Sequence, residues 1–448
     1  MEKEHRKSSR RQFLRGAAGA AAAFTIVPRC VLGAGETPPS EKINIACVGV
    51  GGRGGDNVDG VGRENIVALC DVDMRSTGKA FGNHPNAKQY RDFRKMLDEM
   101  DNKIDAVVVS TPDHTHAAAC MAAIKRGKHV YCEKPLAHSI YEIRELMKAA
   151  REHKVVTQLG NQGHSFEHIR LFCEWIWDGA IGNVREVHAS CDAVHCKIGQ
   201  LSRLNEKHDV PAELDWELWL GPAQYRAYNP MYLPGSWRGW MPFGSGTIGD
   251  WVCHVVDPVF WALELGSPTT VEAQAKGYDP KKHADTFPGG TVVRFEFPAK
   301  GKRGPVTLIW FDGSERPPQP QDLEPERKVP GTGAIVMGDK GTIMYGSHGA
   351  SGVRIIPETK MKEYKLPVKT LPRVKGHYED WLEAIKNKTQ AGSNFDYGGP
   401  LTELAQLGII ATKMLGQKLQ WDSQNMRFAN SDEANRFINP PYRQGWTL

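Results

Sequence analysis

The sequence predicts an α/β fold in two parts: an N-terminal domain on a parallel sheet, then an α+β domain on a mostly antiparallel one. Residues 42–160 alternate short β-rich runs with helix-spaced ones, the signature of βαβ units. Beyond residue 161, β-rich runs follow one another with few helices between them. The chain, at 448 residues, is also too long for one ordinary core, while 40% hydrophobic and 24% charged residues are globular values.

In the first part the strand-like runs are Ile43–Val48, Ile66–Cys70, Ala106–Ser110, His129–Cys132 and Val155–Leu159. Phe93–Met100, Ala117–Arg126 and Tyr141–His153 carry apolar residues at helical spacing between them. In the second part (161–448), Glu167–Trp177 reads as a helix. Strands follow at Val184–Ser190, Thr270–Ala275, Thr291–Phe297, Val306–Phe311, Ala334–Met337, Thr342–Tyr345 and Val353–Ile356. His377–Lys388 and Leu401–Leu415 are helical again. The proline-rich stretches Glu315–Pro330 and Pro222–Pro242 are long loops, which in a compact enzyme form site walls or subunit contacts.

The N-terminus is a targeting segment. Ser9-Arg10-Arg11-Gln12-Phe13-Leu14-Arg15 precedes the Ala/Gly-rich apolar stretch Gly16–Val27, which reads as a twin-arginine export signal over residues 1–34. The expected location is periplasmic or otherwise extracytoplasmic. Cys30 follows Arg29, which does not suit a lipid-anchor site, and no later run is apolar enough for a membrane helix. Residues 1–34 hold seven basic and two acidic side chains, so the remainder is balanced at 50 of each. Nothing in that charge argues for nucleic acid or an anionic membrane surface. Nine scattered cysteines without a CxxC pair read as mostly free thiols.

The run Ile43–Val48 feeds Gly49-Val50-Gly51-Gly52-Arg53-Gly54, a G-x-G-x-x-G turn. The first glycine permits the tight turn and the second a close diphosphate approach; the third lets the next helix pack against the turn. Alone this motif is weak. It is strengthened by Asp71, 22 residues after Gly49 at the end of the next β-rich run, where a carboxylate meets ribose hydroxyls. A Rossmann dinucleotide site follows, with NAD favoured because Asp71 repels a 2′-phosphate; Arg75 and Arg53 leave NADP open.

Glu133-Lys134-Pro135 closes a probable central strand and Thr111-Pro112, with His116 nearby, closes its neighbour. Both therefore border the crevice at the carboxyl ends of the strands. A lysine desolvated there loses its proton more easily, which suits alkoxide stabilisation or proton relay; a surface Glu-Lys pair is the bland alternative. In Gly249-Asp250-Trp251-Val252-Cys253-His254-Val255-Val256-Asp257, Asp250, His254 and Asp257 share one helix face. A histidine exchanging protons near neutrality, oriented by a carboxylate one turn away, is one reading; a helix-start aspartate and a buried histidine are the other. Weaker substrate candidates are Trp237 and Trp240, whose faces suit sugar C–H surfaces, the amide-rich Asn161-Gln162-Gly163-His164, Asp257 and His377. No set of ligands at metal-site spacing is present, and none is expected.

These pieces resemble the glucose–fructose oxidoreductase/inositol dehydrogenase (Gfo/Idh/MocA) family over nearly the whole chain after the N-terminal segment. The carriers are the glycine turn, Thr111-Pro112, Glu133-Lys134-Pro135 and the Gly249-Asp250…His254 helix start. The resemblance implies a Rossmann domain plus a large, open, mostly antiparallel sheet through which members form homo-oligomers, here a dimer or tetramer. It implies a small carbohydrate or polyol substrate, and Lys134, Asp250 and His254 as the catalytic group.

Export and a dinucleotide site pull against each other, because no free nicotinamide pool lies outside the cytoplasmic membrane. A tightly held cofactor, loaded before export, reconciles them. The expected activity is hydride transfer on a sugar, glycoside or polyol. The alternatives are a glycosidase using transient oxidation, elimination and re-reduction, and a non-catalytic sugar-binding protein of the same fold.

Overall fold

The computed structural model describes residue 38 and residues 41–448. The export segment expected over residues 1–34 lies outside the described residues. Asn44–Leu448 form one compact unit, and no helix among the described residues is long and apolar enough to cross a membrane.

The first part contains β1 (Asn44–Val48), α1 (Arg53–Val61), β2 (Asn65–Cys70), α2 (Gly78–Asn83), β3 (Lys88–Tyr90), α3 (Phe93–Met100), β4 (Ala106–Val109), α4 (Asp113–Ile124), β5 (His129–Glu133), α5 (Ile140–Glu152) and β6 (Thr157–Gly160). All neighbours are parallel, in the order β3-β2-β1-β4-β5-β6. Every residue of β4 is buried, as expected for a strand covered on both faces. The chain winds one way from β1 to β3 and the other way from β4 to β6. The crevice of such a sheet therefore opens beyond the tips of β1 and β4. The edge strand β3 was not expected, because Lys88-Gln89-Tyr90 carries no apolar alternation. Helix α4 starts four residues before its apolar run. Pro112 fixes its entry, so Asp113 and His116 form its first turn.

The second part contains α6 (Glu167–Asp178), β7 (Val184–Cys191), α7 (Trp216–Leu220), α8 (Gly246–Val255), α9 (Asp257–Ala262), β8 (Thr270–Gln274), β9 (Val292–Phe297), β10 (Val306–Asp312), β11 (Gly333–Gly338), β12 (Thr342–Gly346), β13 (Arg354–Ile356), α10 (Glu358–Glu363), α11 (His377–Asn387), α12 (Phe395–Lys413), β14 (Leu419–Asp422), β15 (Arg427–Phe428) and α13 (Asp432–Asn435). Nine strands form one sheet, β13-β12-β11-β7-β10-β9-β8-β14-β15. All pairings are antiparallel except β7 with β10.

Helix α12 joins the two sheets, packing on α5 on one side and on α8 and β8 on the other. It starts at Phe395 under an Asn394 cap, six residues ahead of the run the sequence suggested. Pro400 lies inside it, early enough to cost one backbone hydrogen bond without ending the helix. Tyr345 of β12 donates its hydroxyl to the Val255 carbonyl at 2.9 Å, which anchors the end of α8 to the sheet. Leu323, from the loop 315–330, packs on Ile335, Met344 and Ile356. The 222–242 loop buries Tyr228, Tyr232, Trp237 and Trp240 against Trp216 and Trp219.

Candidate active site

The glycine turn builds the mouth of the site. Gly49 has φ +78°, and a Cβ on it would meet the Ser110 carbonyl group at 2.8 Å, so only glycine lets the tips of β1 and β4 close up. A Cβ on Gly54 would reach the Gly49 oxygen at 2.0 Å, which keeps α1 tight under the turn. Gly52, at φ +50°, faces open space. Amides at the start of a helix opening on a cleft are an anion site. At the tip of β2, one Asp71 oxygen accepts from Val50 N at 2.8 Å and Gly51 N at 3.3 Å, and the other from Asp73 N at 2.9 Å. Burial raises its pKa, against those three amide hydrogen bonds.

A cleft of about 470 Å³ runs from this turn past the tips of β4 and β5 to α8. Gly49, Gly51, Gly52, Arg53, Asp71, Thr111, Pro112, His116, Glu133 and Lys134 all line it, together with Asp250, His254 and Trp237. Gly54 lies behind the turn and acts through packing. A glycine cradle, helix-start amides and a carboxylate at the tip of β2 suit a dinucleotide laid across the sheet. Arg75 and Arg53, the two arginines that left a 2′-phosphate open in the sequence, are already engaged. Arg75 is paired twice with Asp73, at 2.7 and 2.6 Å, and Arg53 with Glu133 at 3.1 Å.

At the inner end, Lys134 donates to the Asp250 carboxylate at 2.5 Å and to its backbone carbonyl at 2.9 Å. His195 reaches the second carboxylate oxygen at 3.0 Å, and Arg238 the first at 3.2 Å. Burial opposes ionisation of Asp250, yet Lys134, His195 and Arg238 outweigh it and hold the carboxyl well below its ordinary range. For Lys134 the expectation of easy deprotonation is corrected. Burial does pull its pKa down, but Asp250 and Glu133 outweigh burial and raise it, so the ammonium keeps its proton. His254 is the reverse case. Burial, then Lys134 and His348, hold its imidazole well below the ordinary value, hence neutral.

The weaker candidates divide. Trp237 lines the cleft, with the Arg238 guanidinium 4.3 Å over its ring. Trp240 does not line it: it is fully buried and donates to the Met231 carbonyl at 3.2 Å. Asp257 does not share the face of Asp250 and His254. Pro258 has no N–H for the His254 carbonyl, so α8 ends and a new helix turns Asp257 away. Asp257 instead accepts from Asn161 at 3.0 Å, His164 at 3.0 Å and Tyr397 at 2.5 Å. His377 is buried between Ser165 and the Leu159 carbonyl, both at 2.7 Å. Asn161, His164, Asp257 and His377 thus form an internal network behind the cleft, where polar groups satisfy one another.

His195, Arg238 and His348 were missed. His195 follows β7 and His348 follows β12, neither within a motif. Arg238 lies in the 222–242 loop, whose length and proline content did signal a wall.

Comparison with known proteins agrees with this architecture. Residues 43–161 match the profile of an oxidoreductase family with an NAD-binding Rossmann fold, and residues 195–298 and 333–448 match the α/β C-terminal domain of the same family. The chain is 29% identical to a glycosyl hydrolase family 109 protein of Akkermansia muciniphila, over 91% of this chain and 84% of that protein. It is 33% identical to a levoglucosan dehydrogenase of Pseudarthrobacter phenanthrenivorans, over 48% of this chain and 46% of that one. This match spans less than half of the relative's length. Among solved structures, an NAD-binding protein from Listeria innocua superposes with a TM-score of 0.58 at 18% identity, covering 85% of this chain and 97% of that one. The chain belongs to the Gfo/Idh/MocA oxidoreductase family and is an NAD-dependent oxidoreductase.

Proposed function

We propose that this protein is an exported oxidoreductase acting on a CH–OH group of a sugar, glycoside or polyol, with its NAD retained through turnover. One observation carries the reading: a charged lysine, an ionised aspartate and a neutral histidine meet at the inner end of the cleft that begins at the glycine turn. The residues from the glycine turn to Lys134 would hold NAD, which would accept the hydride from the carbon bearing the hydroxyl.

The chain's own groups divide the rest. His254 accepts the hydroxyl proton, since a neutral imidazole facing the cleft has a free lone pair to give. Lys134 places a fixed positive charge where negative charge develops on the substrate oxygen. Asp250 holds Lys134, His195 and Arg238 through its two carboxylate oxygens and so orients all three. Trp237 offers an aromatic face to a sugar ring. The histidine thus takes the base role in this scheme, and the lysine the electrostatic one.

Export rests on the twin-arginine pattern at Arg10 and Arg11. Lys substitution of both should leave the full-length protein in the cytoplasmic fraction. A glycoside-cleaving variant of the same chemistry is favoured by the long match to the family 109 relative. The deciding experiment is mass spectrometry of nucleotide released from gently purified protein, with sugars and aryl glycosides then titrated in. Bound NAD that changes redox state with a sugar supports the main reading. Aglycone release without net NADH moves the assignment to the glycosidase, and protein free of nucleotide refutes both.

A further inference from the structure

His348 enters the cleft from the turn after β12, far from the other site residues in sequence. Its ring lies on that of His254, centroids 4.2 Å apart and planes 28° from parallel, and it lines the cleft. Its backbone is left-handed at φ +54°, a conformation that β-carbon-bearing residues avoid. The turn is clamped there by two glycines. A Cβ on Gly163 would lie 2.4 Å from Gly349 N and the His348 carbonyl carbon, and one on Gly349 would lie 2.1 Å from the Gly163 oxygen. Two segments distant in sequence are thus pressed together without space for one extra carbon, and the strained residue at their junction is the one aimed at His254. Unfavourable backbone retained beside a reacting group is the pattern expected where position matters more than stability.

What this placement supplies is legible at His254. Its Nδ1 is buried and has no hydrogen-bond partner among the described residues. The carboxylate or carbonyl that ordinarily orients a working imidazole is therefore missing. The ring is held instead by the face of His348 and the edge of Trp251, whose centroid is 5.9 Å away. The titratable and charged groups around it are Lys134 at the tip of β5, Arg53 on α1, Asp250 on α8 and His348 after β12. His348 faces the same Lys134, Arg53 and Asp250. Asp250 is already shared among Lys134, His195 and Arg238. Burial is the first cause that holds the His254 imidazole neutral, and the stacked His348 ring is part of what covers it.

We propose that His348 is a positioning residue that fixes the plane of the His254 ring and, by laying a second uncharged imidazole on it, keeps His254 an unprotonated base toward the cleft. This rests on the base role given to His254 above, and its test reads that residue directly. In holoprotein labelled at histidine, ring NMR signals follow His254 through a pH titration, assigned with His254→Asn. His348→Asn removes the aromatic face but tolerates the left-handed backbone. It should raise the His254 midpoint by about one pH unit or more and carry the acidic limb of the pH–rate profile with it. His348→Phe keeps the face without a titrating nitrogen and should move both much less than His348→Asn does. An unmoved midpoint in His348→Asn, or equal shifts in the two variants, overturns the proposal. A shifted midpoint without any sugar turnover would leave the positioning role standing and break the proposed reaction instead.

Discussion

Asp250 and Asp257 lie two helical turns apart in sequence, and each accepts a hydrogen bond from a histidine at 3.0 Å. Their surroundings separate them. Asp250 keeps 17% of its side-chain surface exposed and shares its oxygens among Lys134, Arg238 and His195 at the wall of the cleft. Asp257 keeps 1%, and its His164 partner stacks on Trp261 at 4.5 Å. The first cluster holds an excess of donors that a ligand oxygen can satisfy. In the second, every acceptor is matched by Asn161, His164 or Tyr397. An aspartate–histidine pair is chemistry in one place and framework in the other, and access together with unspent hydrogen-bonding capacity makes the difference.

Substitutions test that contrast, and the largest effect belongs to the cleft. Lys134→Met should lower turnover about 10³-fold with the fold retained, because Asp250 still pairs with His195 and Arg238. Steady-state rates and circular dichroism check it. Trp240→Ala should act on stability, costing about 3 kcal/mol by opening a cavity in the Trp216–Phe243 cluster, with KM unchanged for any substrate. A large KM effect would return Trp240 to the cleft. Asp257→Asn should cost about 2 kcal/mol of unfolding free energy, since Tyr397 and His164 lose a charged acceptor, while kcat per folded molecule stays near wild type.

The smallest expected effect sets two lysines side by side. Lys134 has a carboxylate and its pKa rises. Lys413, at the end of α12, has the Phe437 ring at 4.4 Å and no carboxylate partner among the described residues, and burial lowers its pKa to about 8. Between about 8 and the ordinary lysine range the unfolded chain binds a proton that the folded chain does not, so Lys413 costs stability below that window and ceases to above it. Lys413→Met should therefore raise stability by about 1 kcal/mol at neutral pH, with the gain fading as pH climbs through the window. Denaturant melts at two pH values check it.

Much of this was visible in the sequence, for physical reasons that also explain the omissions. The parallel strands announce themselves because both faces are covered and the runs are apolar throughout, as at Ala106–Val109. Lys88–Tyr90 is an edge strand with little to bury, and Leu419–Asp422 is a four-residue strand with two buried side chains beside the edge strand β15, so neither gives such a signal. The glycine turn was legible because local backbone geometry dictates its residue type, and Asp71 and Lys134 because each follows a strand that ends at the crevice. Helical spacing placed Asp257 with His254, but a proline one residue later redirected it. Arg238 and His348 reach the cleft, and His195 reaches Asp250, only through tertiary packing, and for His348 through a contact between Gly163 and Gly349 that no local pattern encodes.

The proposed chemistry turns on Lys134, Asp250 and His254 acting on a coenzyme held in the cleft. Its most direct test follows the reduced-nicotinamide absorbance of purified wild-type and Lys134→Met holoproteins, matched for bound nucleotide, while a sugar panel is titrated in. At least one sugar should change the absorbance of the wild type rapidly and leave the variant nearly silent. Equal responses in the two proteins would contradict the account.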